Sequence, residues 1–136
     1  MNPVPVRIAE PRDGQIIRRL VRADAWAGLE HLDWSTVGAN WLVAELEMEV
    51  VGCIAVLPML PIGHVEHMGV AERLSMFNRA RVVKALLYSA WSTLRLAGCG
   101  ASMGTVPTSL REYVHALENR GGVVVDRSEV MIKRLG

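Results

Sequence analysis

Residues able to do acid–base and anion-binding chemistry gather in one stretch, His64-Val65-Glu66-His67-Met68-Gly69-Val70, and in the basic run that follows it. A short alternating segment closes on Gly69-Val70, and a long amphipathic helical pattern, Glu72 to Ala97, opens almost at once. A strand that runs straight into a helix leaves the first helical N–H groups unpaired beside the sheet edge, a ready seat for a phosphate. Arg73, Arg79, Arg81 and Lys84 lie near the start of this helix. Either they contact an anion through charge-assisted bonds or they form a basic, solvated helix face. Alternation along the strand places His64, Glu66, Met68 and Val70 on one face and Val65, His67 and Gly69 on the other. On that reading the two histidines face apart and cannot form a metal pair from this strand alone. Cys53 and Cys99 show no CxxC or other ligand spacing, so no metal site is expected.

The elements that must hold these groups follow from periodicity. Val4 to Ala9 alternates as a first strand, kept to an edge or end by Pro5. Asp13 then caps a helix in which Ile16, Ile17, Leu20, Val21 and Ala25 recur at helical spacing, with Arg18, Arg19 and Arg22 facing out. Leu29, Leu32, Trp34 and Val37 suggest a short helix stopped by Gly38. Trp26, Trp34 and Trp41 fall near this region, as anchors of a core or interface or as the wall of a substrate site. Trp41–Leu46 and Val50–Leu57 are adjacent strands joined by Glu47-Met48-Glu49, and Pro58 and Pro61 separate them from the strand His64–Val70.

The long helix places Leu74, Phe77, Val82, Ala85, Leu86, Ala90 and Leu94 on one stripe and ends at Gly98 and Gly100. Ala101 to Val106 reads as a strand. Ser109 and Glu112 form a capping box for a helix running to about Arg120. After Gly121-Gly122, Val123–Asp126 and Glu129–Leu135 make a final pair of strands. The order β, α, α, β, β, β, α, β, α, β, β predicts one α/β domain over residues 1–136, a mixed sheet with helices on both faces.

Bulk composition narrows the function classes. The hydrophobic fraction of 51% and charged fraction of 21% describe an ordinary globular chain. A net charge of +1, from 15 basic and 14 acidic residues, gives no electrostatic case for nucleic acid. Met1-Asn2-Pro3-Val4-Pro5-Val6-Arg7 carries no apolar signal region, and no apolar run approaches the length needed to cross a bilayer. Two free thiols then fit a reducing cytoplasm.

Taken in this order of elements, Val50-Val51-Gly52-Cys53-Ile54-Ala55-Val56, Val65-Glu66-His67-Met68-Gly69-Val70 and Leu117-Glu118-Asn119-Arg120-Gly121-Gly122-Val123 resemble the GNAT superfamily of acyl-CoA-dependent N-acetyltransferases. The resemblance covers nearly the whole chain. It implies an α+β fold whose mostly antiparallel central sheet has six to seven strands, and acetyl-CoA as cofactor. In that family the fourth strand offers backbone groups to the pantetheine arm, which here are those of Met68, Gly69 and Val70. The next turn holds the pyrophosphate through Arg/Gln-x-x-Gly-x-Gly/Ala, because glycines let successive N–H groups converge on phosphates.

Counted from Val70 without a gap, that motif falls on Ser75-Met76-Phe77-Asn78-Arg79-Ala80. Ala80 fits, Asn78 is able to take a left-handed conformation where glycine is usual, and Ser75 replaces the long polar residue. Alignment on Ala85-Leu86-Leu87 instead puts Arg81 and Val83 at the glycine positions. The resemblance thus assigns Asn78, Arg79, Ala80 and Arg81 to the pyrophosphate. Both glycines are absent, and residues 71–83 read as helix throughout.

Acetyl transfer to an amine needs a base for the ammonium proton and an acid for the leaving thiolate. Some members of the family carry a carboxylate where Glu66 stands, four residues before Val70, which makes Glu66 the base candidate; a structural ion pair is its equal alternative. The family's tyrosine acid falls here on Leu117. Tyr113, one turn earlier on the same helix face, is the candidate acid, with packing as its plainer role.

Three function classes result. The first is a divergent N-acetyltransferase acting on a small-molecule or protein amine. The second is a GNAT-like protein that no longer binds CoA and works through a protein partner or self-association, on a surface that includes Trp26, Trp34 or Trp91, similar to short GNAT-like proteins of tailed bacteriophages. The third, a nucleic-acid module, rests only on the basic helix stripe, and the net charge argues against it.

Overall fold

The strands β1 (Val6–Ile8), β2 (Trp41–Leu46), β3 (Glu49–Leu57), β4 (Ile62–Val70) and β5 (Ala101–Gly104) form one sheet in that spatial order. Among the described residues three α-helices accompany them: α1 (Gly14–Leu20), α2 (Met76–Leu96) and α3 (Arg111–Glu118). The structure is a computed structural model, and it describes residues 2–22, 32–105 and 111–124. β1 through β4 pair antiparallel, and β5 joins β4 in parallel through the crossover helix α2. The mixed, mostly antiparallel sheet with helices on both faces is as expected. Five strands, rather than six or seven, lie among the described residues.

Local chemistry explains the hairpin at the centre of the sheet. β2 and β3 are joined by Glu47 and Met48 alone, both at positive φ (51° and 68°), which matches the twist that a two-residue hairpin turn requires. The apolar runs on either side then bury both of their faces. On one face Leu42, Ala44, Ile54, Val56 and Val70 pack against Val82, Val83, Leu86, Leu87, Ala90 and Leu94 of α2, with Leu117 of α3 at the margin. On the other, Val43 and Cys53 pack against Ile17 and Val21 of the α1 segment and against Trp34 and Val37. These are called below the α2 face and the α1 face.

Several boundaries differ from the sequence pattern. Phe77, expected on the buried stripe of the long helix, is 60% exposed, because α2 does not begin until Met76 and its core-facing residues start at Val82. The turn Trp34–Thr36 is a single 3-10 turn, while Ala25, Trp26 and Leu29 lie outside the described residues. So do the Ser109 end of the capping box and the last strand, Glu129–Leu135. Of the strand expected at Val123–Asp126, Val123 and Val124 are described and are not in a strand.

Asp13 precedes α1 but does not cap it with its side chain. Its carboxylate instead accepts two bonds from the Arg7 guanidinium (2.7 and 3.0 Å) and one from the Glu10 N–H (2.7 Å). Arg7 also donates to Glu45 at 2.5 Å. One β1 arginine thereby ties the start of α1 to β2, and α1 in turn sets the wall of the site.

Candidate functional site

β4 and β5 part company halfway along β4. Their parallel pairing covers Ile62↔Ala101, Gly63↔Ser102, His64↔Met103 and Val65↔Gly104, and nothing beyond. β4 nevertheless runs on to Val70, paired on its inner edge with β3 as far as Gly52↔Val70. Among the described residues, the outer edge of β4 from Glu66 to Val70 therefore has no partner strand. An unpaired edge of this kind presents backbone N–H and C=O groups to an extended, amide-bearing ligand. At the apex of the gap the Glu66 carboxylate accepts a hydrogen bond from the Thr105 N–H at 3.3 Å.

A bulge in β4 accounts for the divergence and re-aims its side chains. β3 advances two residues, Cys53 to Ala55, while β4 retreats three, Gly69 to Glu66, and His67 in the extra position takes a φ of 52°. Bulges bend the strand that carries them and raise its twist. The strict alternation expected for this strand fails as a result. Met68 and Val70 lie with Val65 on the α2 face. Gly69 faces α1, where an added Cβ would stand 2.4 Å from the Leu20 carbonyl oxygen.

His67 turns to the α1 face and stacks on Trp41, with centroids 6.4 Å apart and planes at 23°. Glu66 shares that face, since Trp41, Ala55 and Glu66 are successive cross-strand partners. His64 Nδ1 is 3.9 Å from Glu66 Oε1. The two histidines thus flank one carboxylate on a single face instead of facing apart. Among the described residues no three His, Cys, Asp or Glu side chains group as a metal site.

Beside this face lies a cavity of about 390 Å³, lined by Asp33, Trp34, Thr36, Val37, Gly38, Ala39, Asn40, Trp41 and His67, with Leu32 at its edge. Trp34 and Trp41 meet with centroids 6.1 Å apart and planes at 60°. Two of the three tryptophans grouped in the sequence therefore wall one cavity, and the third, Trp26, lies outside the described residues. Trp91 stands apart on α2, edge-on to Tyr88. The Asp33 carboxylate accepts both the hydroxyl and the N–H of Ser35, which holds its pKa below the usual carboxylate range.

Of the helix expected from Ala71 to Val83, residues 71–75 form a turn and only residues 76–83 are helical, as the start of α2. Leu74 N–H reaches back to the Ala71 carbonyl at 3.3 Å, and Ser75 caps α2, its hydroxyl accepting the Asn78 N–H at 3.2 Å. Met76 and Phe77, the first residues of α2, hold N–H groups that have no carbonyl one turn back within the helix. Asn78 is helical and not left-handed, because it lies inside the first turn of α2, where a continuous hydrogen-bond ladder fixes its backbone. Its side-chain oxygen accepts from Arg81, which also donates to the Asn2 carbonyl. Arg73 pairs with Glu49 at 2.5 Å, and Lys84 sits over the Tyr88 ring. Arg79 and Ala80 lie in the same helical turn. Tyr113 belongs to α3, its side chain outside the described residues, while Leu117 packs on the α2-face core.

The bulge and the parting strands were invisible to periodicity. The one sequence signal for them is His67-Met68-Gly69, where a bulky polar residue interrupts an otherwise apolar strand end.

No protein-family model matches the chain, and no curated protein matches it in sequence. Solved structures do match. A ribosomal-protein-alanine N-acetyltransferase from Brucella melitensis biovar Abortus superposes with a TM-score of 0.66 at 18% identity, over 96% of this chain and 99% of that one. A protein from Bacillus halodurans described as a transcriptional regulator gives 0.70 at 17% identity, over 96% and 99%. A diaminobutyrate acetyltransferase from Paenibacillus lautus, crystallised with L-2,4-diaminobutyric acid and coenzyme A, gives 0.66 at 22% identity, over 89% and 78%. At these identities the likeness is one of fold: the chain has the architecture of the GNAT N-acetyltransferases.

Proposed function

We propose that this protein transfers an acetyl group from acetyl-CoA to the nitrogen of an amine. The observation that carries the reading is the outer edge of β4 beyond Val65, which has no partner strand among the described residues, opens beside a carboxylate, Glu66, and leads within six residues to the capped start of α2. Two neighbours in fold are described as acetyltransferases, and one of them was crystallised with both L-2,4-diaminobutyric acid and coenzyme A.

The residues present fit the cofactor at two points. The backbone of Met68, Gly69 and Val70 offers strand-type hydrogen bonds to the amides of a pantetheine arm. The N–H groups of Met76 and Phe77, with the positive end of the α2 dipole, favour a pyrophosphate. Ser75 caps this end of α2, and Asn78, Arg79, Ala80 and Arg81 follow in its first turns. Arg73 and Arg81 already have protein partners, so the backbone carries more of the anion contact than the side chains do. Acetyl-CoA supplies a thioester: the amine nitrogen bonds to its carbonyl carbon, and the carbon–sulfur bond breaks.

Glu66 takes the proton from the attacking amine. Its carboxylate is held in place by the Thr105 N–H and lies beside His64, a route by which the proton reaches solvent. Tyr113 on α3 is the candidate to return a proton to the departing thiolate. Calorimetric titration of the full chain with acetyl-CoA, followed by release of free thiol on addition of amines, tests the reading. Binding in the micromolar range and amine-dependent thiol release are expected. No heat and no thermal stabilisation at millimolar acetyl-CoA would sink it.

A further inference from the structure

We infer that the outer face of α2 is a self-recognition surface, on which α2 of a second copy of this chain packs antiparallel, with each aromatic ring set against a cation of the other copy.

The first support is spacing. Phe77, Arg81, Lys84, Tyr88, Trp91 and Arg95 follow one another along α2 at intervals of four, three, four, three and four residues. That is the a/d interval along which two helices pack side by side. At about 100° per residue the six lie within an arc of about 80°, centred about 160° from the buried stripe of Val82, Leu86, Ala90 and Leu94, and they span about 27 Å of helix. Phe77 and Tyr88 are 60% and 51% exposed, Lys84 and Arg95 are exposed, and Arg81 and Trp91 are half-buried. The row faces outward.

The second support is that the row, reversed, matches itself. Antiparallel pairing about the level of Leu86 sets Phe77 against the partner's Arg95, Arg81 against the partner's Trp91 and Lys84 against the partner's Tyr88, and two-fold symmetry repeats each contact. All six positions then join a ring to a cation, a favourable contact in its own right. Parallel pairing in register would instead face Arg81, Lys84 and Arg95 with their own copies, which like charges disfavour.

The third support is order already present in one copy. Arg81 lies over the Phe77 ring at 6.0 Å and Lys84 over the Tyr88 ring at 5.9 Å, while Tyr88 stands edge-on to Trp91 at 5.8 Å. Asn78 Oδ1 and the Asn2 carbonyl hold the Arg81 guanidinium in place. A second copy therefore meets side chains that are set before it arrives, which lowers the entropic cost of pairing.

Charge limits the strength. α2 holds Arg79, Arg81, Lys84 and Arg95 and no carboxylate, so two copies repel while their rings and cations attract. One helix pair also buries an area at the low end of specific interfaces. A dimer with a Kd of about 10–100 µM follows, and salt tightens it, because screening weakens repulsion between exposed charges more than it weakens close ring contacts.

Sedimentation equilibrium of the full chain from about 1 to about 300 µM, at low and at high sodium chloride, tests the pairing. A reversible monomer–dimer equilibrium is expected, about threefold tighter at high salt. Tyr88→Phe keeps the ring and should leave Kd unchanged, whereas Tyr88→Ala, which suits an exposed helical site, should weaken the dimer about tenfold because two ring contacts are lost. Register is read by cross-linking with a short bismaleimide in a Cys99→Ser background. Phe77→Cys mixed with Arg95→Cys should join, and Phe77→Cys alone should not, since its two copies lie about 27 Å apart. The cross-linking decides should Tyr88→Ala disturb the fold. A chain still monomeric at about 300 µM, a dimer untouched by Tyr88→Ala, cross-linking of Phe77→Cys to itself, or a dimer that loosens in salt overturns the inference, the last because an acidic surface would then be facing α2.

Discussion

Glu66 and Thr105 meet where β4 and β5 separate, the carboxylate of one accepting the backbone N–H of the other at 3.3 Å. The same side chain thus closes the apex of the gap and is the base of the proposed reaction. Substitution separates these roles. Glu66→Gln keeps an oxygen for Thr105 but removes the base, so kcat should fall by about 10²–10³ with the melting temperature and acetyl-CoA affinity unchanged. Glu66→Ala should lose the same activity and no more than about 0.5 kcal/mol of stability, because the exposed Thr105 N–H then bonds to water. A Glu66→Gln enzyme that turns over at the wild-type rate would reduce Glu66 to a structural role.

Acid sensitivity should trace to Asp13, which is buried and bound by Arg7 and the Glu10 N–H. The Arg7 guanidinium holds its carboxyl below the usual carboxylate range. With the folded value depressed, the stabilisation is fully present above the unfolded value of about 3.9 and is lost as pH falls through the folded value. Urea midpoints measured from pH 7 down to pH 2 should decline on this limb. Asp13→Asn should cost about 2 kcal/mol at pH 7 and flatten the limb, since the charge-assisted bonds are gone.

Gly14 controls the cavity from the far side. A Cβ there would lie 1.8 Å from the Trp34 carbonyl oxygen, a clash with backbone that no rotamer relieves. Gly14→Ala must therefore displace α1 or the Trp34 turn, at a cost of about 3 kcal/mol. In the proposed reading acetyl-CoA lies along β4 and at the start of α2, so the surviving folded protein should bind it as before. Denaturant midpoints and calorimetry with acetyl-CoA separate the two effects.

Cys53 and Cys99 should differ sharply in reactivity. Cys53 is fully buried between the sheet and α1, and burial pushes its thiol up to about 12. Cys99 lies half-buried just past the end of α2. A thiol reagent at pH 8 should titrate Cys99 in the native protein and reach both cysteines only after denaturation, because the thiolate is the reacting form. Rapid modification of Cys53 in the folded chain would contradict the packing of Val43, Ile17 and Trp34 around it.

The fold was legible in the sequence where side-chain periodicity decides structure. Val50 to Leu57 reads as a buried strand because an apolar run of that length fits a sheet covered on both faces, and the helix after Ser75 announces itself by its stripe of Val82, Leu86 and Ala90. The site was legible only in part. Glu66 lies in the strand where the sequence put it, but its neighbours could not be read, since one extra residue at His67 inverts every face assignment after it. The turn at residues 71–75 was hidden by Glu72, Arg73 and Leu74, which suit a helix by propensity. What ends the helix pattern there is Ser75, whose hydroxyl captures the Asn78 N–H.

Ser75 is accordingly the residue on which the proposed phosphate seat is most directly tested. Its side chain holds one of the orphan donors of α2 and leaves those of Met76 and Phe77 for a ligand. Ser75→Ala should cost about 1 kcal/mol of stability, the usual loss of a helix cap. It should also weaken acetyl-CoA several-fold by letting the first turn fray. Ser75→Asp restores the cap but brings a negative charge beside the pyrophosphate, so it should recover stability and bind acetyl-CoA more weakly than Ser75→Ala, increasingly so at low salt. Equal acetyl-CoA affinity in all three proteins would place the pyrophosphate away from the start of α2.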